Sequence, residues 1–581
     1  MSRLRKKIAI FVPVPIQPAL WGLWSRGRRA LRNPYVGFMV GTLILTCFLS
    51  LFGGLAPLIL HPLEWPLLLY LYWLFYGAIR DGRWAAWIAA APLALGYLFH
   101  DAYFMALGAV FRLADFEEVP ELLQILAPLE AVLILALLLA PLLLVLSQIA
   151  TRRLSRTALA VLPAVLLVAS TRAVPEPFLA VFAVVGREVT WSDASTVERN
   201  GRLMTLLLRE AQRNAALERS ASHRDPVAYA AQARARAAAV QAHMRPRPVH
   251  LIVLESLLDP TQFTGVRFSR DPRHPDYVAL FGDRVGMSIS PVFGSRTAEA
   301  EFEVLCGVPG FQEIASVEFN AFTGAPARCL PDILGQAGYH TEASNGFRPN
   351  FFNAIKGYRG TGFADIYFPR EYASRRDTYL TVADIVGDET YLFDGDLFRQ
   401  AREHQARTAT DRPRLHYMLT IYGHHPYRID KAVRPEVVTI TAGPGDAELT
   451  RITNQFYYRT EAIAHHVRAL IEREPEGLII LIGDHLPLLG GGADRYQQLG
   501  YLGDIPDNIH HTRLLVVVDG KPVTFPVLHH YDIPALVYDY LTDGWYCRAH
   551  PCNLAGEVVP REAYRPEYLR LMAHAAADDH P

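Results

Sequence analysis

Two stretches decide how this chain folds: Val253-Leu254-Glu255-Ser256 and, far downstream, Leu481-Ile482-Gly483-Asp484-His485. Each closes a short apolar run, His250–Leu254 or Leu478–Ile482, with side chains of the kind that bind metals. Such runs read as central strands of a parallel sheet buried on both faces. Open α/β sheets collect their ligands beyond the carboxyl ends of these strands, so Glu255, Asp484 and His485 are expected to converge there. Between them Gly294-Ser-Arg-Thr297-Ala-Glu-Ala-Glu301-Phe302 reads as a loop entering a helix, with a hydroxyl at the helix start. Further strand-like runs at 415–421 and 513–518 alternate with helical stretches at 298–306, 328–338 and 451–473. The alternation predicts an α/β domain with a mostly parallel sheet over 248–545.

At 581 residues the chain should hold two or three units. Its 51% hydrophobic content is concentrated before residue 186, where a membrane domain is expected. A net charge of -1 and the lack of a basic stripe in the second half argue against a nucleic-acid partner. Of the five cysteines, Cys306, Cys329, Cys547 and Cys552 fall in the polar half. That even number permits two disulfides in an oxidising compartment, but spacing alone does not pair them. Cys547 and Cys552 lack a second Cys or His pair at zinc-finger spacing, which leaves a disulfide or two free thiols. The His pairs 465-466, 510-511 and 529-530 read as surface or packing residues.

Residues 1–35 form a basic segment, with Arg3, Arg5, Lys6, Lys7, Arg26, Arg28, Arg29 and Arg32 and no acid before Glu64. Its apolar piece, Ile8–Trp24, is broken by Pro13, Pro15 and Pro18 and reads as interfacial rather than as a cleaved signal. Spans of about 20 apolar residues are expected within 36–185, at 36–60, 62–79, 84–108, 125–148 and 157–173. With the N-terminus inside, the basic loops at 80–83 and 151–156 also fall inside, as the positive-inside rule requires. The acidic loop of Asp115, Glu117, Glu118 and Glu121 then falls outside, and five spans export everything downstream. A helical connector is expected over 186–247 and a tail over 546–581.

A catalytic metal needs a few fixed ligands and an open position facing substrate. Glu255, Asp484 and His485 supply two carboxylates and an imidazole from rigid strand ends. Thr297 supplies a hydroxyl that a metal can acidify, at a helix start whose free N–H groups suit an incoming phosphate. A Thr in that place is more often only an N-cap, so its partners decide its role.

Taken together, Val-Leu-Glu255-Ser, Thr297-Ala-Glu-Ala-Glu301-Phe-Glu and Ile-Gly-Asp484-His485 resemble the lipoteichoic acid synthase and phosphoglycerol transferase family of the alkaline phosphatase/sulfatase superfamily. Asn200-Gly-Arg-Leu, Gly423-His424-His425-Pro426-Tyr427 and His530-Tyr-Asp532-Ile-Pro534-Ala-Leu also resemble family segments. The resemblance implies a five-span membrane anchor with a sulfatase-like domain on the outer or periplasmic side of a bacterial inner membrane. It implies one divalent metal, manganese before magnesium or zinc, held by Glu255, Thr297, Asp484 and His485. Thr297 would be the nucleophile, and His424 would contact the headgroup of a phospholipid donor. The group would pass to an extracytoplasmic glycan or glycolipid. One departure stands out: Asn345 and Ala354 occupy positions where family members carry a His and a headgroup Arg, leaving Arg348 or Lys356 to replace them. Alternatives are a phosphoethanolamine transferase, a membrane-anchored phosphodiesterase or phosphatase, and an inactive glycan-assembly partner. The sulfatase Cys-x-Pro-x-Arg signature is incomplete at Cys329-Leu-Pro331-Asp-Ile333.

Overall fold

The computed structural model describes residues 33–577 apart from 59–62, 108–109, 126–127, 152–153, 189–192, 374–377, 409–410, 506–507 and 556–558. The basic segment's residues 1–32, with the interfacial expectation for Ile8–Trp24, lie outside the described residues. The chain divides into two compact units: a helical one of residues 1–105, 109–113 and 123–211, and a sheet-bearing one of 106–108, 114–122 and 212–581.

In the helical unit, Pro34–Leu51, Glu64–Ala78, Ala85–Leu107, Pro128–Ser147, Leu154–Ala173 and Pro175–Val185 are helices. Among the described residues, Pro34–Leu51 alone is long and apolar enough to cross a membrane as one straight helix; counting two sharply bent pairs raises the number to three. Five spans are therefore not established by helix length and apolarity. The helix Pro175–Val185 does not continue the one before it in a straight line, because a 110° bend intervenes. His100 and Asp101 are buried, and Asp101 receives Nε and Nη2 of Arg202 at 2.6 and 2.7 Å. A buried, doubly bonded pair of this kind explains how an apolar helix tolerates a carboxylate. Gly201 precedes that arginine at φ +93°, where any Cβ would run into the Glu64 carboxylate.

The sheet-bearing unit is built, among the described residues, on a nine-stranded sheet: β1 (Val249–Leu254), β2 (Gly286–Ile289), β3 (His340–Asn345), β4 (Asp365–Tyr367), β5 (Arg414–Leu419), β6 (Leu478–Gly483), β7 (His511–Val518), β8 (Lys521–Val523) and β9 (Leu528–His529). Their order is β9-β2-β7-β6-β1-β5-β3-β4, with β8 on β7. The central strand β1 runs parallel to β5 and β6, with Val249 opposite Leu415 and Leu478. Leu251 and Val253 enter one core and Ile252 and Leu254 the other, so both faces are covered, as the uninterrupted apolar run requires. Helices Asp394–Arg407 and Ala447–Arg473 pack on one face; Pro226–His243, Thr297–Cys306 and Ile533–Leu541 pack on the other.

The sheet is mixed. The run at 513–518, expected within a mostly parallel sheet, lies antiparallel to both β6 and β2. After Gly483 the chain stays at the carboxyl edge until His511 and enters β7 there, so no crossover carries it back to the other edge. Two disulfides, Cys306–Cys329 and Cys547–Cys552, resolve the pairing that spacing left open.

Candidate active site

The end of β1 is fastened on both sides. Glu255 N–H donates to Thr420 Oγ1 at 3.2 Å, and Asp484 N–H donates to the Leu254 carbonyl at 3.3 Å. Ser256 takes φ +48°, a turn that lets its own N–H donate to Asp484 Oδ1 at 2.7 Å. Gly423 is required beside it, because a Cβ there would collide with the Glu255 carbonyl and with Arg459.

The structure brings the four separated side chains together. Thr297 Oγ1 donates to Glu255 Oε2 at 2.8 Å and lies 3.3 Å from His485 Nε2. Ser256 Oγ donates to the other oxygen of Glu255 at 2.7 Å. Ligand atoms of Glu255, Asp484 and His485 all lie within 4.8 Å of one another. All four side chains are buried. Thr297 is the first residue of the helix Thr297–Cys306, and the N-cap position belongs to Arg296, which makes no side-chain cap. The Thr297 hydroxyl is thus turned toward Glu255, not spent on capping.

Three features of the donor set fit a cation. Asp484 Oδ1 accepts from the N–H groups of Ser256 and His485, while Oδ2 is buried with no hydrogen-bond partner. His485 Nδ1 must donate to the Leu486 carbonyl at 2.9 Å, which turns Nε2 toward the cluster. The charges are also crowded. Burial, then the Glu255 carboxylate, push the Asp484 carboxyl upward. Burial opposes the charge on Glu255 too, yet His485 and then His424 hold it below the usual carboxylate range. Two buried carboxylates facing one point cost several kcal/mol without a counter-charge, and a divalent ion supplies it.

Beside the cluster, His424 Nδ1 lies 3.2 Å from Tyr391 Oη. Tyr391 continues into Phe347, with ring centroids 5.8 Å apart. The Arg348 guanidinium sits 5.6 Å from the Phe347 ring and 5.4 Å from that of Tyr372, and its Nε is buried without a partner. Arg348 therefore belongs to the same aromatic patch as His424. Asn345 is used up internally: its amide donates to Tyr358 Oη at 2.9 Å and accepts from Phe347 N at 2.8 Å. Lys356 is exposed on the helix Ala354–Thr361 and makes no hydrogen bond or ion pair among the described residues. Behind Thr297, Glu301 accepts from Tyr358 and Tyr417 at 2.5 and 2.6 Å. Sequence reasoning overlooked Ser256, Tyr391 and Thr420; of these only Ser256, next to Glu255, carried any local signal.

Residues 248–535 match the family model described as Sulfatase. Among known proteins, a putative cyclic beta-1,2-glucan modification protein of Rhizobium meliloti is 26% identical over 262 residues, 44% of this chain and 38% of its own length. An uncharacterized protein of Haemophilus influenzae is 25% identical over 240 residues, 40% of this chain and 42% of its own length. The chain thus spans about two fifths of these relatives. Among solved structures, the Streptococcus pyogenes phosphoglycerol transferase GacH in complex with sn-glycerol-1-phosphate superposes with a TM-score of 0.46 at 16% identity, covering 62% of this chain and 92% of that one. The lipoteichoic acid synthase LtaP from Listeria monocytogenes gives a TM-score of 0.40 at 18% identity, covering 52% and 73%. Glu255, Thr297, Asp484 and His485, gathered at the carboxyl edge of the sheet, all lie within the segment 248–535 that is similar to the Sulfatase family.

Proposed function

We propose that this protein is a metal-dependent transferase that moves a phospholipid headgroup, phosphoglycerol first, through a phosphorylated Thr297 to a glycan or glycolipid. The observation that carries the proposal is the Thr297 hydroxyl, buried 2.8 Å from Glu255 and 3.3 Å from His485 at the start of a helix. Glu255, Asp484 and His485, with the Thr297 hydroxyl, would hold one divalent ion, manganese by family resemblance. Bound there, it would supply Lewis acidity to the hydroxyl and to the phosphate oxygens.

The chain's own residues account for the rest. Thr297 Oγ1 gives up its proton along the bond to Glu255 Oε2 and forms a bond to phosphorus. The phosphorus–oxygen bond to diacylglycerol breaks, and that oxygen leaves with a proton. Free N–H groups at the start of the helix Thr297–Cys306 face the developing phosphate charge. An acceptor hydroxyl then attacks the phosphothreonine and restores Thr297. His424, oriented by Tyr391, and Arg348 line the side from which the headgroup enters. A carbohydrate acceptor accords with the glucan-modifying relative. A donor confined to a bilayer accords with the apolar helices, which we read as five spans. Two disulfides accord with a catalytic domain in an oxidising, extracytoplasmic compartment.

Thr297→Ala should lower diacylglycerol release from phosphatidylglycerol at least about a thousandfold. Retention of full activity would refute the nucleophile. Comparing products with and without a glucan acceptor separates transfer from hydrolysis, and the mass added to Thr297 identifies the headgroup.

A further inference from the structure

The acidic stretch between the third and fourth apolar helices, Asp115-Phe-Glu117-Glu118-Val-Pro-Glu121, has so far served only to orient the chain. Its segment 114–122 nevertheless clusters with the sheet-bearing unit, while residues 109–113 and 123–211 on either side belong to the helical one. The side chain it meets there is Arg296, immediately before Thr297. Arg296 Nη2 donates to Asp115 Oδ1 at 2.8 Å, and Nε lies 2.8 Å from Glu118 Oε1. The arginine is 7% exposed and Asp115 5%.

A cation next to a phosphate-attacking hydroxyl would ordinarily be read as a phosphate ligand. Here the guanidinium is occupied by two carboxylates, so its effect on chemistry must come through the backbone. That backbone is strained: Arg296 takes φ 65° and ψ 46°, the left-handed region that a side-chain-bearing residue rarely adopts. The turn sets the direction in which Thr297 leaves the loop. It is tied on the far side too, where Gly294 N–H donates to the Leu486 carbonyl at 3.2 Å, one residue from His485. The hydroxyl's distances to Glu255 and His485 are thus fixed between a strand-end anchor and a carboxylate anchor.

We infer that Asp115 and Glu118 are positioning residues for the Thr297 nucleophile and act through Arg296. A stretch lying in sequence between two apolar helices therefore supplies part of the nucleophile's mount. The inference rests on the reading of Thr297 as nucleophile, and the test separates the two.

The test uses the full chain in detergent with two probes, phosphatidylglycerol and the soluble diester bis(p-nitrophenyl) phosphate. The variants are D115N/E118Q, R296K, T297A and, as a control in the same segment, E117Q, whose carboxylate pairs with Arg213 at 2.5 Å. The double variant should lose about tenfold to a hundredfold in kcat on both probes, with KM within about twofold and an unchanged thermal midpoint. R296K, which keeps the charge but not the two-pronged grip, should fall between it and wild type. E117Q should retain wild-type kcat. Wild-type kcat in D115N/E118Q beside an inactive T297A would overturn the inference and leave the nucleophile standing. Equal losses in E117Q, or losses that track the thermal midpoint, would also overturn it by showing a purely structural role. An active T297A would overturn both readings.

Discussion

The two ends of the central strands bury polar groups in opposite ways. At the amino end His250, His416 and His466 sit in the core with Arg402 and Glu474 around them. His250 Nε2 lies 2.6 Å from Glu474 Oε2, and Arg402 Nη1 lies 2.9 Å from His466 Nδ1. Burial, then neighbouring cationic groups, hold His416 and His466 well below the usual imidazole range. An uncharged ring with one unpaired nitrogen is affordable inside a protein at about 1–3 kcal/mol. At the carboxyl end Glu255 and Asp484 face one point, and Asp484 Oδ2, 3.3 Å from His485 Nε2, has no hydrogen-bond partner. Burial and the facing Glu255 carboxylate push the Asp484 carboxyl up to about 7, so the pair holds both its charges at neutral pH only against that pressure. The contrast separates a polar cluster that the fold completes by itself from one that the fold leaves for something else to complete.

Asp484→Asn should break the contrast most strongly. The amide oxygen can still accept from Ser256 and His485, so the backbone frame survives. Activity on phosphatidylglycerol should fall at least about a thousandfold. The thermal midpoint measured in chelator should hold or rise, because a like charge has been removed; a lower midpoint would show that the carboxylate serves the fold.

Chelation comes next. Dialysis against EDTA should lower the midpoint of the wild-type chain, and manganese should restore it. Saturation at a hundred to a thousand times Kd corresponds to about 2.7–4.1 kcal/mol. An Asp484→Asn chain should respond far less, and an equal response would place the ion elsewhere.

The smallest effect belongs to the amino end. His416 and His466 have folded pKa values below their unfolded value of about 6.5, so the unfolded chain binds more protons in the interval between. Their contribution is complete above that value. It is lost as pH falls from about 6.5 toward the folded values, by up to about 1.4 kcal/mol per pH unit for each ring. His416→Leu should flatten the fall in thermal midpoint between pH 6.5 and 5, and an unchanged slope would remove this ring from the account.

The parts of the fold visible in the sequence were those written in apolar periodicity. Strands β1 and β6 appear as unbroken runs, and their last residues point directly to Glu255, Asp484 and His485. β3 was hidden because it reads His340-Thr-Glu-Ala-Ser-Asn345, a polar string with five of six residues buried. Its side chains are satisfied from a distance, Glu342 by Gln405 and Ser344 by Tyr379, and no local pattern reports such partners. The antiparallel course of β7 was equally invisible, since an apolar run does not state its direction. At the site, Thr297 was legible only in company with the strand ends. Arg348 was read, with Lys356, as a charge that could replace the headgroup Arg, but its aromatic surroundings come from residues scattered between 347 and 391. Asn345 looked available because its bonds to Tyr358 and to a backbone N–H are tertiary.

The helix that begins with Thr297 ends at Cys306, and that last residue is joined covalently to Cys329, one position before the helix Leu330–Gln336. The far end of this helix is therefore secured only after the cell has carried out an oxidation step. A chain made where thiols stay reduced would fold with that end untethered, so recombinant yield of working protein should follow the host's thiol-oxidising machinery more closely than its expression level.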